Sequence, residues 1–299
     1  MRVARSECNC AAFHYFMPQI AHLSDLHFGA HDDRLVAAVE LRIHETKPDL
    51  VVISGDFTQR ARTEQFEEAC SFLERLKSAG HEVLGVPGNH DVPLYDVLRR
   101  FLSPLTRYRR FIDDSLCPFH ELRGAAVLGI NTARSLTFKD GRINQDQVAF
   151  IQESFARTRP DAVRILVTHH PLFALPVSDA DVLGKAIGRQ ELALEAVADA
   201  GVDLLLAGHN HRASSHHARD LATDAGAALV IQAGTATSTR LREQEQSFNL
   251  IEVDKGSVTV VIQGWDGTGF VSQDAERFVR RGENWETAAG DQLAEAPEA

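Results

Sequence analysis

From residue 18 onward, short and mostly apolar runs alternate with longer amphipathic ones, and this alternation constrains the fold more than any other feature. Gln19–Ser24, Leu50–Ser54, Val83–Val86, Ala126–Asn131, Val163–Thr168 and Leu204–Ala207 read as buried strands. Between them, Arg34–His44, Thr63–Ser78, Gln145–Ala156 and Gln190–Ala200 repeat apolar residues at helical spacing. Asn144 supplies an N-cap to the third of these, while Gly80 and Gly201 close the second and fourth. A buried strand, a helix and another buried strand in succession require a crossover connection, so the central sheet structure is largely parallel.

The last third changes period. Ala228–Gln232, Phe248–Val253 and Val258–Gln263 are strand-like, and Asp254-Lys255-Gly256 makes a tight turn between the last two. Val258, Val260 and Ile262 alternate cleanly, as in a sheet with one buried face. The expected fold class is therefore α/β, with two stacked mixed β-sheets flanked by helices. No internal repeat or long linker divides the chain. The expected organisation is an N-terminal extension over 1–17, disordered or preceding a true start at Met17, a body over 18–265, and a C-terminal segment over 266–299. Residues 283–299 hold five acids and no Lys or Arg, which reads as a solvated acidic tail.

Charge and cysteine content narrow the function. The chain has 31 Lys and Arg against 42 Asp and Glu, or 31 − 42 = −11. That balance argues against a broad nucleic-acid surface. No run reaches the roughly 18 apolar residues of a membrane span. The four cysteines, Cys8, Cys10, Cys70 and Cys117, have no disulfide or metal-type spacing, which fits reduced thiols in a cytoplasmic protein.

The strand ends carry the chemistry. In open α/β sheets functional groups collect beyond the carboxyl ends of strands. There this chain places Ser24-Asp25-Leu26-His27, Gly55-Asp56, Gly88-Asn89-His90-Asp91, Thr168-His169-His170-Pro171 and Gly208-His209-Asn210-His211. Each fragment alone is unremarkable, but their order and their shared position after strands are not. Imidazoles and carboxylates without thiolate suit Zn, Mn or Fe. Asp25, His27, Asp56, Asn89, His169, His209 and His211 are seven candidate ligands, too many for one tetrahedral ion and fully used by two ions sharing a carboxylate. Two such metals clamp an in-line displacement at phosphorus and lower the pKa of bound water to about 7. Asn89, a neutral ligand, keeps the site net positive and attractive to phosphate.

These blocks resemble the calcineurin-like metallophosphoesterase superfamily, whose pattern is DxH, GD, GNHD or GNHE, a later H, and GHxH. The resemblance spans about residues 18 to 265. It implies that one metal takes Asp25, His27, Asp56 and His211, and that the second takes Asp56, Asn89, His169 and His209. It also selects His169 over His170, gives His90 the role of orienting or protonating the leaving-group oxygen, and lets Asp91 fix the His90 imidazole or its loop. The implied mechanism is direct attack on phosphorus by a metal-bridging hydroxide, with Mn, Fe or Zn as the metals.

Block spacing is most similar to that of bacterial class III cyclic nucleotide phosphodiesterases and related glycerophosphodiesterases. The expected activity is hydrolysis of a cyclic-nucleotide-type or other small phosphodiester. Alternatives are a phosphomonoesterase, a lipid or glycerophosphodiester hydrolase, and a non-catalytic scaffold on the same fold, although no ligand position is substituted. Relatives in the superfamily are often dimers, but nothing in the sequence marks an interface. For substrate binding, Arg134, Lys139 and Arg142 lie in one loop, and Arg134 and Arg142 are the candidates of choice; Gln59, Arg60 and Arg62 follow Asp56 closely. Leu172–Pro176 suits core packing better than a base or acyl site, and His216 and His217 suit the surface.

Overall fold

The computed structural model describes residues 17–136, 140–174, 186–217, 227–239, 245–282 and 284–288. The expectations for the N-terminal extension, Lys139, Leu175, Pro176 and the last eleven residues lie outside that set. The elements in chain order are β1 (Gln19–Leu23), α1 (Asp33–Thr46), β2 (Leu50–Ile53), α2 (Thr63–Ser78), β3 (Val83–Gly85), α3 (Val97–Leu102), α4 (Thr106–Phe111), β4 (Phe119–Leu122), β5 (Ala125–Gly129), α5 (Gln145–Ala156), β6 (Val163–Val167), α6 (Gln190–Asp199), β7 (Leu204–Ala207), β8 (Ser214–His217), β9 (Leu229–Gln232), β10 (Ser247–Asp254), β11 (Ser257–Trp265), β12 (Phe270–Arg281) and β13 (Asn284–Thr287).

The strands form two mixed sheets, ordered β13-β12-β11-β10-β1-β2-β3 and β4-β5-β6-β7-β9-β8. Alternation of side chains along each strand builds three cores. Ile20, Leu50 and Val52 share the core between the sheets with Ile165, Val167, Leu204 and Leu206. Their neighbours Ala21, Leu23, Val51 and Ile53 turn the other way, into a core with α1 and α2 side chains such as Leu35, Val39, Phe66 and Phe72. Leu166 and Leu205 likewise turn outward, against Val148, Ile151 and Phe155 of α5 and Ala193 and Val197 of α6. Strands buried on both faces have continuous apolar sequence for this reason. Each fully buried aliphatic side chain contributes about 1.5–3 kcal/mol.

The helix signals correspond to real caps. Asn144 accepts from the Gln147 amide at 2.9 Å, and the Gln147 side chain returns a bond to the Asn144 amide in a capping box. Asp32 caps α1 by accepting from the Arg34 amide at 2.9 Å.

The C-terminal third departs from expectation. β12 pairs with β11, and β13 with β12, so the first sheet continues to Thr287. Residues 284–287 are thus sheet and not solvated tail. Phe278 and Trp285 reach the inter-sheet core and anchor the two strands. Most of β12 between Val271 and Arg277 is exposed, which explains why it shows no apolar period. Among the described residues, no helix is long and apolar enough to cross a membrane.

Candidate metal centre

The site lies where β1, β2, β3, β6 and β7 release their chains at one end of the two sheets. Asp25 (φ 54), His27 (φ 51), Asp56 (φ 54), His209 (φ 73) and His211 (φ 58) all adopt left-handed backbone, which costs about 1–2 kcal/mol for each such residue. Long-range bonds hold them there. The Asp25 and His27 amides donate to the carbonyls of Gly55 and Asp56 at 3.1 and 2.9 Å. Thr235 Oγ1 and Thr237 Oγ1 donate to the carbonyls of Asp25 and Leu26 at 2.8 and 2.7 Å. Leu26 between the two ligands is wholly buried and pins the turn to the core. Two glycines of the motifs are dictated by crowding: a Cβ at Gly88 would stand 2.1 Å from Asp56 Oδ1, and one at Gly55, already at φ 95, would stand 2.6 Å from His169 Nδ1.

All seven candidate ligands converge, in two groups sharing one oxygen. In the first, His211 Nε2 is 3.1 Å from Asp25 Oδ1 and 3.3 Å from His27 Nε2, and His27 Nε2 is 3.6 Å from Asp25 Oδ1 and 3.8 Å from Asp56 Oδ2. In the second, Asn89 Oδ1 is 3.1 Å from both His169 Nε2 and His209 Nδ1; these nitrogens are 3.3 Å apart, and His169 Nε2 is 3.4 Å from Asp56 Oδ2. Ligands about 2.1 Å from one ion stand about 3.0–3.5 Å from each other, so most of these separations are of the size that a shared cation would require.

The electrostatics fit cations as well. Asp25 and Asp56 are buried, and among the described residues no Lys or Arg pairs with either. Asp25 Oδ1 is buried and, among the described residues, faces only imidazole nitrogens, His211 Nε2 at 3.1 Å and His27 Nε2 at 3.6 Å. Burial opposes ionisation of Asp25, but His211, His27 and His169 together hold its carboxyl well below the usual range. Asp56 behaves alike, its desolvation outweighed by His169, His90 and His27. Burial lowers the basicity of His169, yet the charges of Asp56 and Asp25 and the Ser54 carbonyl raise its pKa to about 9. His209 is pushed down to about 4 by burial and by His169. Two buried carboxylates therefore draw a proton onto an imidazole, and a divalent cation answers the same demand with the imidazole neutral. The residues fit such ions.

The tautomers follow from bonds behind the ligands. His169 Nδ1 donates to the Ser54 carbonyl at 2.7 Å, which turns Nε2 into the site. His170 stands near His169 and His209, but its Nδ1 is 2.8 Å from Thr132 Oγ1. His90 Nδ1 donates to the Gln59 carbonyl at 2.8 Å, and the His90 amide donates to Asp56 Oδ1 at 2.8 Å.

Asp91 takes only one of its two expected roles. Its carboxylate accepts from the amides of Phe57, Thr58 and Gly88 at 3.2, 2.9 and 2.9 Å and from Thr58 Oγ1 at 3.0 Å. It ties the loops after β2 and β3 together, while Gln59, and not Asp91, holds the His90 ring. Burial, with the nearby Asp56 charge, raises the Asp91 pKa to about 6.

With that geometry established, comparison with known proteins is decisive. The profile of the calcineurin-like phosphoesterases matches residues 18–213. The chain belongs to this family. It is a phosphoric ester hydrolase by that membership. It is 25% identical over 204 residues to a probable cyclic nucleotide phosphodiesterase of Synechococcus sp., covering 65% of this chain and 73% of that one. It is 27% identical over 213 residues to a glycerophosphodiester phosphodiesterase of Enterobacter lignolyticus, covering 64% and 70%. Its fold superposes on a purple acid phosphatase from yellow lupin with a TM-score of 0.64 and 11% identity, covering 93% of this chain and 57% of the lupin protein.

The substrate candidates fare differently. Beside Asn89 and His90 the phosphoesterase has a cavity of about 740 Å³ that takes in Gln59, Arg60 and Arg62. Arg134 lines a separate pocket of about 380 Å³, and its guanidinium donates to Gln147 Oε1 and to the Asn131 and Ala133 carbonyls, the last two at 3.3 Å. Arg142 is exposed, its backbone bridged to Gly188. Neither lines the cavity at His90. Leu172 and Phe173 are buried core residues. Ser54, Thr58, Thr235 and Thr237 went unread, and Gln59 was read only as a substrate candidate, because they act through long-range bonds that leave no local pattern.

Proposed function

We propose that this phosphoesterase hydrolyses a phosphodiester, of the cyclic-nucleotide type or another small diester, on two metal ions. The observation that carries the reading is Asp56 Oδ2, which stands within 3.8 Å of His27 Nε2 in one ligand group and 3.4 Å of His169 Nε2 in the other. Asp25, His27, Asp56 and His211 would hold one ion, and Asp56, Asn89, His169 and His209 the other. When bound, the ions supply an activated water and positive charge opposite the phosphoryl oxygens.

The chain's own residues do the rest. Asn89 contributes an oxygen without a charge, which leaves the centre net positive toward an anionic ester. Because Nδ1 of His90 is committed to the Gln59 carbonyl, Nε2 is the nitrogen left to carry a proton to the departing oxygen. Ser24 Oγ and the His209 amide donate to Asp25 Oδ2 at 2.6 and 3.0 Å, which leaves Oδ1 for the cation. A diester is favoured because both relatives above carry phosphodiesterase names.

A substrate panel tests the proposal: 3′,5′-cyclic AMP, 2′,3′-cyclic AMP, glycerophosphodiesters and the matching monoesters, each with Mn, Zn or Fe. Faster turnover of a diester than of any monoester is expected. Dominance of monoesters overturns the diester reading, and turnover that survives exhaustive chelation overturns the metal mechanism.

A further inference from the structure

Among the described residues, the wall of the cavity beside His90 has two arginines, Arg60 and Arg62, and no carboxylate. The loop that carries them is braced. Ala61 between them is buried in left-handed backbone at φ 50. Thr58 Oγ1 accepts from the Ala61 amide at 3.0 Å, and Arg107 Nη1 donates to the Ala61 carbonyl at 2.6 Å. Gln65 Oε1 accepts from the amides of Arg60 and Arg62 at 2.8 and 3.4 Å. With the intervening residue turned into the protein, both flanking side chains border one cavity. The Arg60 guanidinium lies 5.9 Å over the Tyr95 ring, a contact that orients it. Among the described residues, neither arginine has an ion-pair partner.

The same loop begins with Gln59, whose carbonyl holds His90. Asn89 and His90 themselves line this cavity, and on the reading of His90 above, with Nε2 delivering the proton, the leaving alcohol departs into it. Water gives its oxygen to phosphorus and a proton to the alkoxide as the P–O bond breaks. Two guanidinium groups with no protein carboxylate to answer them suit a carboxylate or phosphate, which arginine binds through paired N–H donors. We propose that the leaving alcohol of the natural substrate bears a second anionic group, held by Arg60 and Arg62. This rests on the phosphodiesterase reading and narrows it, since neither a cyclic nucleotide nor a choline ester presents such a group.

The test uses glycerophosphodiesters whose second alcohol is glycerol, glycerate, glycerol phosphate or choline, with the Mn-loaded full chain and product identification. The expected result is release of the anionic alcohol with kcat/KM at least about tenfold above the glycerol ester, with the choline ester slowest. Preference for glycerate names a carboxylate as the anion, and preference for glycerol phosphate names a phosphate. In the Arg60→Gln/Arg62→Gln variant the ratio of anionic to neutral substrate falls toward one. A ratio near one in the native protein, or one unchanged in the variant, overturns the inference. If none of the four esters is cleaved, turnover of the cyclic nucleotides in the panel above decides the phosphodiesterase reading, and binding of 3-phosphoglycerate to the metal-free protein decides the pocket. Affinity weakened at least tenfold in the double variant supports the anion site, and equal affinity overturns it.

Discussion

The two ligand groups share Asp56 but sit in different surroundings. Asp25 and His27 have no exposed surface and His211 is 7% exposed, whereas Asn89 and His209 are only half-buried and Asn89 borders the cavity. The first group has a carboxylate of its own, where the second, with the same number of imidazoles, has the neutral amide of Asn89. On the dinuclear proposal, the first position is built to retain its ion and the second to exchange ions and meet substrate. Burial and ligand charge make the difference, because an anionic ligand away from water binds a cation more strongly than an amide at a cavity edge.

The largest expected effect comes from removing what the groups share. Asp56→Ala should leave less than one metal per chain by elemental analysis and slow bis(4-nitrophenyl) phosphate turnover by about 1000-fold or more, equivalent to ~4 kcal/mol. Two ions retained in that variant would break the comparison. Asn89→Ala should cost about 100-fold and lose one ion preferentially, with Asn89→Asp restoring retention. Equal loss of both ions would erase the distinction between the positions.

An effect on stability, and not on turnover, sharpens what lies behind the second group. His22 Nε2 is 2.9 Å from Ser54 Oγ, and the carbonyl of the same Ser54 holds His169. Burial, partly opposed by Asp25, pushes the His22 pKa down to about 3. Between pH 3 and 6.5 the unfolded chain therefore binds a proton at His22 that the folded protein refuses. Stability from this residue is fully present above pH 6.5 and is lost as pH falls toward 3, an effect on the order of 5 kcal/mol across the window. Denaturant titrations at several pH values should show the slope of stability against pH falling by about one proton in His22→Gln. An unchanged slope would mean that His22 does not couple folding to pH. Smallest of all is Arg134→Gln. It should lower stability by about 1–2 kcal/mol through the lost carbonyl bonds and change KM by less than about twofold. A larger rise in KM would place Arg134 at the substrate after all.

Much of the fold was legible because strands buried on both faces leave unbroken apolar runs and capped helices leave their caps. Thr63–Ser78 and Gln145–Ala156 form helices with the bounds read from periodicity alone. β12 and β13 escaped notice because their pairing is carried by backbone bonds to an exposed strand, with Phe278 and Trp285 the buried anchors. α3 and α4 escaped because six-residue helices are too short to show a period. At the site, residue types and order were readable; the roles of Gln59 and Asp91 were not, since each depends on which loop lies opposite.

The sequence by itself determined that seven ligand-type residues follow strands of an α/β sheet, because strand position and residue chemistry are local properties. Tertiary structure decided that one oxygen of Asp56 faces both ligand groups, that His169 and not His170 presents its Nε2 to Asn89, and that Arg60 and Arg62, and not Arg134 or Arg142, line the cavity beside His90. These are outcomes of contacts between residues about 30 to 110 positions apart. Such contacts depend on how two twisted sheets stack and on which backbone group meets each side chain, and no periodicity in the chain encodes either.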